Sequence, residues 1–583
     1  MSEAHDPGFI RRYIFSTDHK IIGIQYILTG LVMGMVGGLL AVLIRIQLGW
    51  PTAQWELLER LMPRGYPSGF MAPEFYISVV TMHGTIMVFF FISYVLVSGF
   101  GNYLVPLQVG AKDMAYPLLN MLSYWFALLS AVVMMASFLV EGGAAAAGWT
   151  AYPPLSAIAS AVPGSGLGQS IWLVSMAIFI ASFTMSGLNV VATIFTMRAP
   201  GMTMMRLPLT IWSYFIAAIL GLLAFPPLTA AAVLLLFDRH LGTSFFLPSG
   251  LVVAGQPLSF QGGSPLLWQH LFWFLGHPEV YVLILPALGI VGDVLPAFTR
   301  KPVFGYRLNV YSLIAVGVLS MVVWGHHMFV SGMSPFTGEY FTLATMVITI
   351  PMTVYGVNLV ASLFGGRMRL ATPMLFSLAA VALFGSGGFG GLFLGNATAD
   401  MQLHDTYFVV GHFHFMIGGV TLMGTFAAFY FWFPKMFGRS MHEGFGKLHF
   451  WGTFAPFFMV FFGQHFLGLQ GMPRRYYAFN TYEYLEGTAG QNTMLSVLVM
   501  VLVAAQFVFM VNFLWSLFKG QPVEANPWAA TTLEWTVASP PPHGNFGDTL
   551  PAVHRWAYEY SPDGTGEDFA PQTAGPNDAP ITA

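Results

Sequence analysis

The chain contains no cysteine, which excludes disulfides, thiolate-bound zinc, iron–sulfur clusters, covalent c-type haem attachment and cysteine nucleophiles. Charge is scarce too: 8% of the 583 residues are Asp, Glu, Lys or Arg, too few to clothe a soluble protein of this size. The 22 basic and 25 acidic residues leave a net charge of -3. No basic excess exists to neutralise a nucleic-acid backbone, so nucleic-acid binding is excluded. What fills the chain instead is apolar, with 56% hydrophobic residues, and it belongs in a lipid bilayer. Any metal must sit on His, Asp, Glu, Tyr or Met.

A hydrocarbon core about 30 Å thick needs roughly 20 apolar residues per helix. The sequence offers such stretches near 20–46, 76–105, 115–140, 168–197, 208–237, 264–296, 305–332, 340–364, 371–395, 403–434, 447–470 and 491–518. Lipid admits only helices and closed barrels, and these runs are too long for barrel strands and do not alternate. The expected fold is therefore an all-α, polytopic bundle of about 12 transmembrane helices over residues 1–518. A C-terminal tail, 519–583, rich in Pro, Gly and acid and containing Pro540, Pro541 and Pro542, reads as an extended strap without a core of its own. The N-terminal segment, the even-numbered loops and Lys519 carry 15 basic residues, against five in the odd loops: Arg60, Arg64, Arg239, Arg474 and Arg475. By the positive-inside bias both termini face the cytoplasm. The first apolar run is long and lacks a small-residue cleavage site after it, so no cleavable signal peptide is expected.

Six histidines fall inside these stretches: His83, His277, His326, His327, His412 and His414. One histidine in a bundle is commonly a hydrogen-bonded packing residue. Six ionisable side chains at membrane depth mark function, and imidazole is the commonest metal ligand. On a helix, His412 and His414 diverge by about 200° and cannot share one metal, so they suit two cofactors flanking one helix. His83 could complete a six-coordinate iron with one of them while the other holds an iron with an open face. His326 and His327 diverge by about 100°, compatible with one ion to which His277 adds a third nitrogen. Tyr281 lies one turn beyond His277 and could reach the same centre. Glu279 is the only Glu well inside a span and has no Lys or Arg in its own helix, which makes it a proton carrier in preference to a salt-bridge partner.

With His277, Pro278, Glu279, Val280 and Tyr281, the pair His326–His327, and the run His404, Asp405, Thr406, Tyr407 to His412 and His414, the chain resembles subunit I of the haem–copper terminal oxidases. Within that family it is most similar to the cytochrome c oxidase type with glutamate in the GHPEV motif. The resemblance extends from Ser16, Thr17, Asp18, His19, Lys20 to Asn526, Pro527, Trp528 and Thr532, Leu533, Glu534, Trp535. It implies that His83 and His414 ligate a low-spin haem and His412 a high-spin haem, both of A type. It further implies that His277, His326 and His327 bind copper, with Tyr281 cross-linked to His277 as electron and proton donor. His404 and Asp405 match a magnesium site shared with subunit II, Arg474 and Arg475 match contacts to the haem propionates, and Arg45 matches the arginine that meets the formyl group of the low-spin haem.

Asp113 with Asn102, Asn120 and Asn189 looks like the start of the family's D pathway, which ends at Glu279. The second route departs from the family pattern. Met352, Tyr355 and Asn358 stand where relatives carry Thr, Lys and Ser, Gly292 and Asp293 replace a Ser–His pair, and none of the six lysines is expected inside a span. Tyr355 with Thr353, Asn358 and Asp293 is the expected substitute, with Asp293 as its intake carboxylate. The resemblance implies a proton-pumping dioxygen reductase with subunits II and III as partners, in a bacterial or archaeal plasma membrane. No cytochrome c domain or copper-binding cysteine loop occurs in the chain, so with cytochrome c or a similar donor a partner, expected to be subunit II with a copper electron-entry site, must supply the entry centre. Nitric oxide reduction, a quinol-fed oxidase and a histidine-relay transporter are the competing readings.

Overall fold

The computed structural model describes residues 8–158, 166–253, 255–259, 262–562 and 568–575. Its long helices are α1 (His19–Gly49), α2 (Pro73–Val109), α3 (Pro117–Leu139), α4 (Leu167–Thr196), α5 (Leu209–His240), α6 (Pro265–Thr299), α7 (Tyr306–Ser320), α8 (Pro335–Ala361), α9 (Thr372–Leu394), α10 (Tyr407–Phe437), α11 (Glu443–Leu469) and α12 (Ala489–Lys519). Local chemistry sets their ends. Asp18 caps α1 by accepting from the Lys20 amide at 2.9 Å, proline opens α2, α3, α6 and α8, and Gly110 closes α2 at φ 82°.

Among the described residues eleven helices are long and apolar enough to cross a membrane, and the shortfall from twelve lies in the stretch 305–332. There the chain forms only the 15 residues of α7 and then a one-turn 3-10 helix, Trp324–Met328, that carries His326 and His327. The tighter turn rotates side chains by about 120° per residue instead of 100°. It sends His326 toward α8 and stacks His327 on Trp273 of α6, with ring centres 3.8 Å apart.

Burial identifies the central helices. In their most apolar windows, 89% of α6, 78% of α10 and 72% of α2 are buried, against 28% of α8. These three inner helices carry His277 and Glu279, His412 and His414, and His83 respectively. Two of them include π-helical stretches, Ile86–Phe100 and His414–Val420, the wide turns often found at functional sites.

Lys435 corrects a hydropathy boundary. It lies inside the last turns of α10 and is fully buried, because the helix continues to Gly438 at φ 67°. Its ammonium donates to the carbonyls of Ala525 (2.9 Å) and Val537 (2.6 Å) and sits 5.2 Å from the Trp535 ring. Those partners belong to the segment after Lys519, whose described part holds one short 3-10 turn, Leu533–Thr536, and two isolated bridges, Arg439–Pro522 and Tyr560–Phe569. It nevertheless buries Leu533, Glu534, Trp535, Tyr558 and Tyr560 against the bundle. His543 bonds Asp18 at 3.0 Å, so this segment and the start of α1 lie at the same end of the molecule.

Candidate metal centre

Nδ1 of His277 stands 3.3 Å from Nε2 of His327, which stands 3.1 Å from Nε2 of His326. Nitrogens about 2 Å from one tetrahedral ion are about 3.3 Å apart, so this spacing fits three ligands of one metal. Among the described residues it is the one group of three or more His, Asp or Glu side chains with ligand atoms this close. The cluster is braced from behind. Thr345 Oγ1 lies 2.9 Å from His326 Nδ1 and donates to the Phe341 carbonyl at 2.6 Å. Nε2 of His277 is buried with no partner among the described residues, and the Tyr281 ring centre is 4.8 Å from that imidazole.

His83 and His414 face each other with ring centres 6.5 Å apart and planes 11° from parallel. Two imidazoles on opposite sides of one metal, with bonds of about 2 Å, place their centres about 6.3 Å apart. Each donates Nδ1–H to a backbone carbonyl, Gly37 at 2.8 Å and Val410 at 2.9 Å. His412 does the same to Gly387 at 2.9 Å. That fixes the tautomer in all three and leaves Nε2 free to ligate. The His412 ring fits because residue 390 is glycine: a Cβ there would come within 2.9 Å of its Nδ1. All six histidines line one cavity of about 1130 Å³.

Charged groups gather at its rim. Arg45 is buried, donating to Ser496 Oγ (3.2 Å) and the Asn492 carbonyl (2.8 Å), while Nη1 has no partner among the described residues. Arg474 donates through Nε to Asp405 at 2.6 Å. Arg475, beside it at φ 67°, has its pKa lowered by burial to about 10, with Arg474 lowering it further and Asp405 opposing. Gly148 sits beside Arg475 at φ 78°, a backbone conformation that favours glycine. His404 Nδ1 bonds Asp400 Oδ2 at 3.0 Å. Desolvation acts to raise the Asp405 carboxyl, but Arg474, Arg475 and His404 together hold it below the ordinary carboxylate range.

Glu279 lines the cavity, with Ser93 donating to Oε1 at 3.5 Å and Oε2 unpartnered among the described residues. Polar groups that the sequence did not single out pair across α1 to α4. The Tyr26 hydroxyl donates to Ser123 at 3.0 Å and approaches Ser182 at 3.3 Å, and the Tyr94 hydroxyl is 2.7 Å from Ser130. Asn102 is buried with Oδ1 unpaired, and Asn120 is buried with both amide atoms unpaired among the described residues. Asn189 instead clamps both backbone groups of Tyr116, at 2.9 and 3.0 Å. Burial raises the Asp113 carboxyl against the pull of His19.

On the second route, Tyr355 is buried and its hydroxyl donates to the Leu288 carbonyl at 3.1 Å. A Cβ at Gly292 would lie 3.4 Å from that hydroxyl, so Tyr355 and Asp293 are near neighbours. Asn358 turns away to donate to Asn309 Oδ1 at 2.8 Å, and Thr353 is exposed.

Thr345, Trp273 and Asp400 were also missed. Only Asp400 carried a local signal, its spacing of four from His404 on a helix. Thr345 lies 19 residues from His326 and reaches it through tertiary packing.

A helical bundle that points six imidazoles into one cavity defines a membrane-embedded metalloprotein. The family model for cytochrome c and quinol oxidase polypeptide I matches residues 21–507, and the chain belongs to that family. It is 47% identical over 98% of its length to the alternative cytochrome c oxidase subunit 1 of Bradyrhizobium diazoefficiens, covering 94% of that protein. It is 41% identical over 95% of its length to cytochrome c oxidase subunit 1 of Cereibacter sphaeroides, covering 97% of it. A heme-copper terminal oxidase dimer solved by cryo-EM shares the fold at TM-score 0.66 and 20% identity, over 87% of this chain and 85% of that one.

Proposed function

We propose that the chain is the catalytic subunit of a terminal respiratory oxidase that reduces dioxygen to water and translocates protons, with cytochrome c or a similar soluble protein as electron donor. One observation carries the reading: the nitrogen triad of His277, His326 and His327 opens into the same cavity as the parallel pair His83–His414. The donor sets fit the groups the family holds. His83 and His414 would hold a low-spin haem, His412 a high-spin haem, and the triad a copper ion. The unpaired Nη1 of Arg45 fits an oxygen on the rim of an A-type low-spin haem. When bound, the haems and copper supply electron transfer and the reduction of dioxygen.

The chain's own side chains do the rest. Arg474 and Arg475 present guanidinium forks suited to propionates. Tyr281 holds its phenol proton beside His277, whose unpaired Nε2 fits a covalent link to that ring. Glu279 holds and releases a proton in an apolar setting, supplied from Asp113 past Asn102, Asn120 and Asn189. Asp293 and Tyr355 take the place of the lysine-based route. His404 and Asp405 would give part of a magnesium site completed by subunit II, and subunit III completes the complex. Both termini face the cytoplasm of a bacterium or archaeon. The test is an optical haem spectrum with metal analysis of the purified complex, followed by oxygen uptake on reduced cytochrome c with a nitric oxide control. Nitric oxide consumption without oxygen uptake rejects the proposal.

A further inference from the structure

The segment after Lys519 contributes to a buried polar cluster at the end of α6. Asp293, on α6, is 5% exposed and Glu534, on the tail, is fully buried. Gln108 of α2 bridges them, its Nε2 donating to Asp293 Oδ2 at 3.2 Å and Glu534 Oε1 at 2.9 Å. Trp432 donates to the same oxygen of Glu534 at 3.1 Å. Tyr558, also from the tail, donates its hydroxyl to Asp293 Oδ1 and accepts from the Leu209 amide at 2.6 Å. Two buried acceptors remain without a partner among the described residues, Glu534 Oε2 and Gln108 Oε1.

Neither carboxyl forms an ion pair among the described residues. The surrounding titratable groups are Lys435, Arg300 and the phenols of Tyr306, Tyr355 and Tyr560. Lys435 is committed to the Ala525 and Val537 carbonyls, and Arg300 to Asp568 at 2.6 Å. Two buried carboxyls joined through one amide, with no ion pair among the described residues and Lys435 acting on Glu534 only at a distance, repel each other as anions while burial penalises each charge. One shared proton removes one of the two buried charges. Independently, burial raises the Glu534 carboxyl above its ordinary range.

We propose that Asp293 and Glu534 form a carboxyl pair that shares one proton, bridged by Gln108 and closed by Tyr558, so that the C-terminal tail builds part of the proton intake beside Tyr355. This rests on the reading of Asp293 as an intake carboxylate. The pair passes a proton toward Tyr355 and recovers one from the tail side, so that it is doubly ionised only in passing. Gln108 and Tyr558 are positioning residues that hold the two carboxyls at this separation.

The test uses the purified holo-complex and compares Glu534→Gln, Glu534→Asp, Asp293→Asn and Tyr558→Phe, each checked for intact haem absorption. Infrared difference spectra between oxidised and reduced enzyme report protonated carboxyl groups, and stopped-flow kinetics report the pH profile of high-spin haem reduction. Glu534→Gln and Asp293→Asn are each expected to remove one protonated-carboxyl band and to shift the rate profile by about one pH unit or more. Glu534→Asp keeps the band, and Tyr558→Phe moves it. An unchanged band and profile in Glu534→Gln overturns the pair, even if Asp293→Asn slows reduction and so upholds the intake reading. Loss of the band in both amide variants with unaltered reduction rates upholds the pair and rejects the intake.

Discussion

The imidazole planes of His83 and His414 lie 11° from parallel with their centres 6.5 Å apart, although the residues come from separate inner helices. Backbone carbonyls of Gly37 and Val410 hold the outer nitrogens. Replacing either histidine with alanine is expected to remove the low-spin haem absorption while leaving copper content intact. Metal analysis and a reduced-minus-oxidised spectrum of His414→Ala check this, and loss of copper with retention of both haems would contradict it.

Thr345 orients His326 from behind through a 2.9 Å contact at Nδ1. Partners of this kind tune metal affinity or activity by about 10–100-fold. Thr345→Val is therefore expected to lower copper occupancy or oxygen uptake within that range while leaving haem content unchanged. Copper titration of the variant against the parent enzyme gives the comparison.

How far these features were legible in the sequence differs by residue. Long apolar runs announced the helices because lipid enforces complete backbone hydrogen bonding, and the spacing of two between His412 and His414 showed that they serve different cofactors. The break after Ser320 was hidden, because hydropathy averages over a window and cannot tell a short helix followed by a 3-10 turn from one continuous span. Lys435 was assigned to a loop for the same reason: its charge ended the apolar run, while its amine is satisfied by tail carbonyls 90 and 102 residues away. Contacts such as Gln108 to Glu534, across 426 residues, have no local signature.

Asn120 is buried with neither amide atom paired among the described residues. If it only fills space, leucine there is neutral or stabilising, because an unsatisfied buried amide costs about 1–3 kcal/mol. If it orders water on the route to Glu279, Asn120→Leu keeps the thermal midpoint and slows oxygen uptake. The expected result is the second, read by uptake rate alongside haem-loss temperature.

Asp568 ties the tail to Arg300, with oxygen–nitrogen distances of 2.6 and 2.9 Å. The hydrogen bonds from Arg300 hold its carboxyl below the ordinary range. A depressed folded value means that this contribution is complete above the unfolded carboxylate value of about 3.9 and is lost as pH falls through the folded one. Proteolytic cutting of the tail should thus be insensitive to pH from neutrality down to about 4 and rise below it. Asp568→Asn should show raised cutting at neutral pH.

The most direct measurement of the central claim is haem and copper content, taken together with oxygen uptake, on the complex purified after expression with ample haem and copper. Two haems and one copper held by this chain, counted apart from any copper of a partner subunit, with oxygen consumed on reduced cytochrome c and both haem and copper lost selectively in the histidine variants, is the expected result. A colourless, copper-free preparation of correctly inserted protein would contradict it.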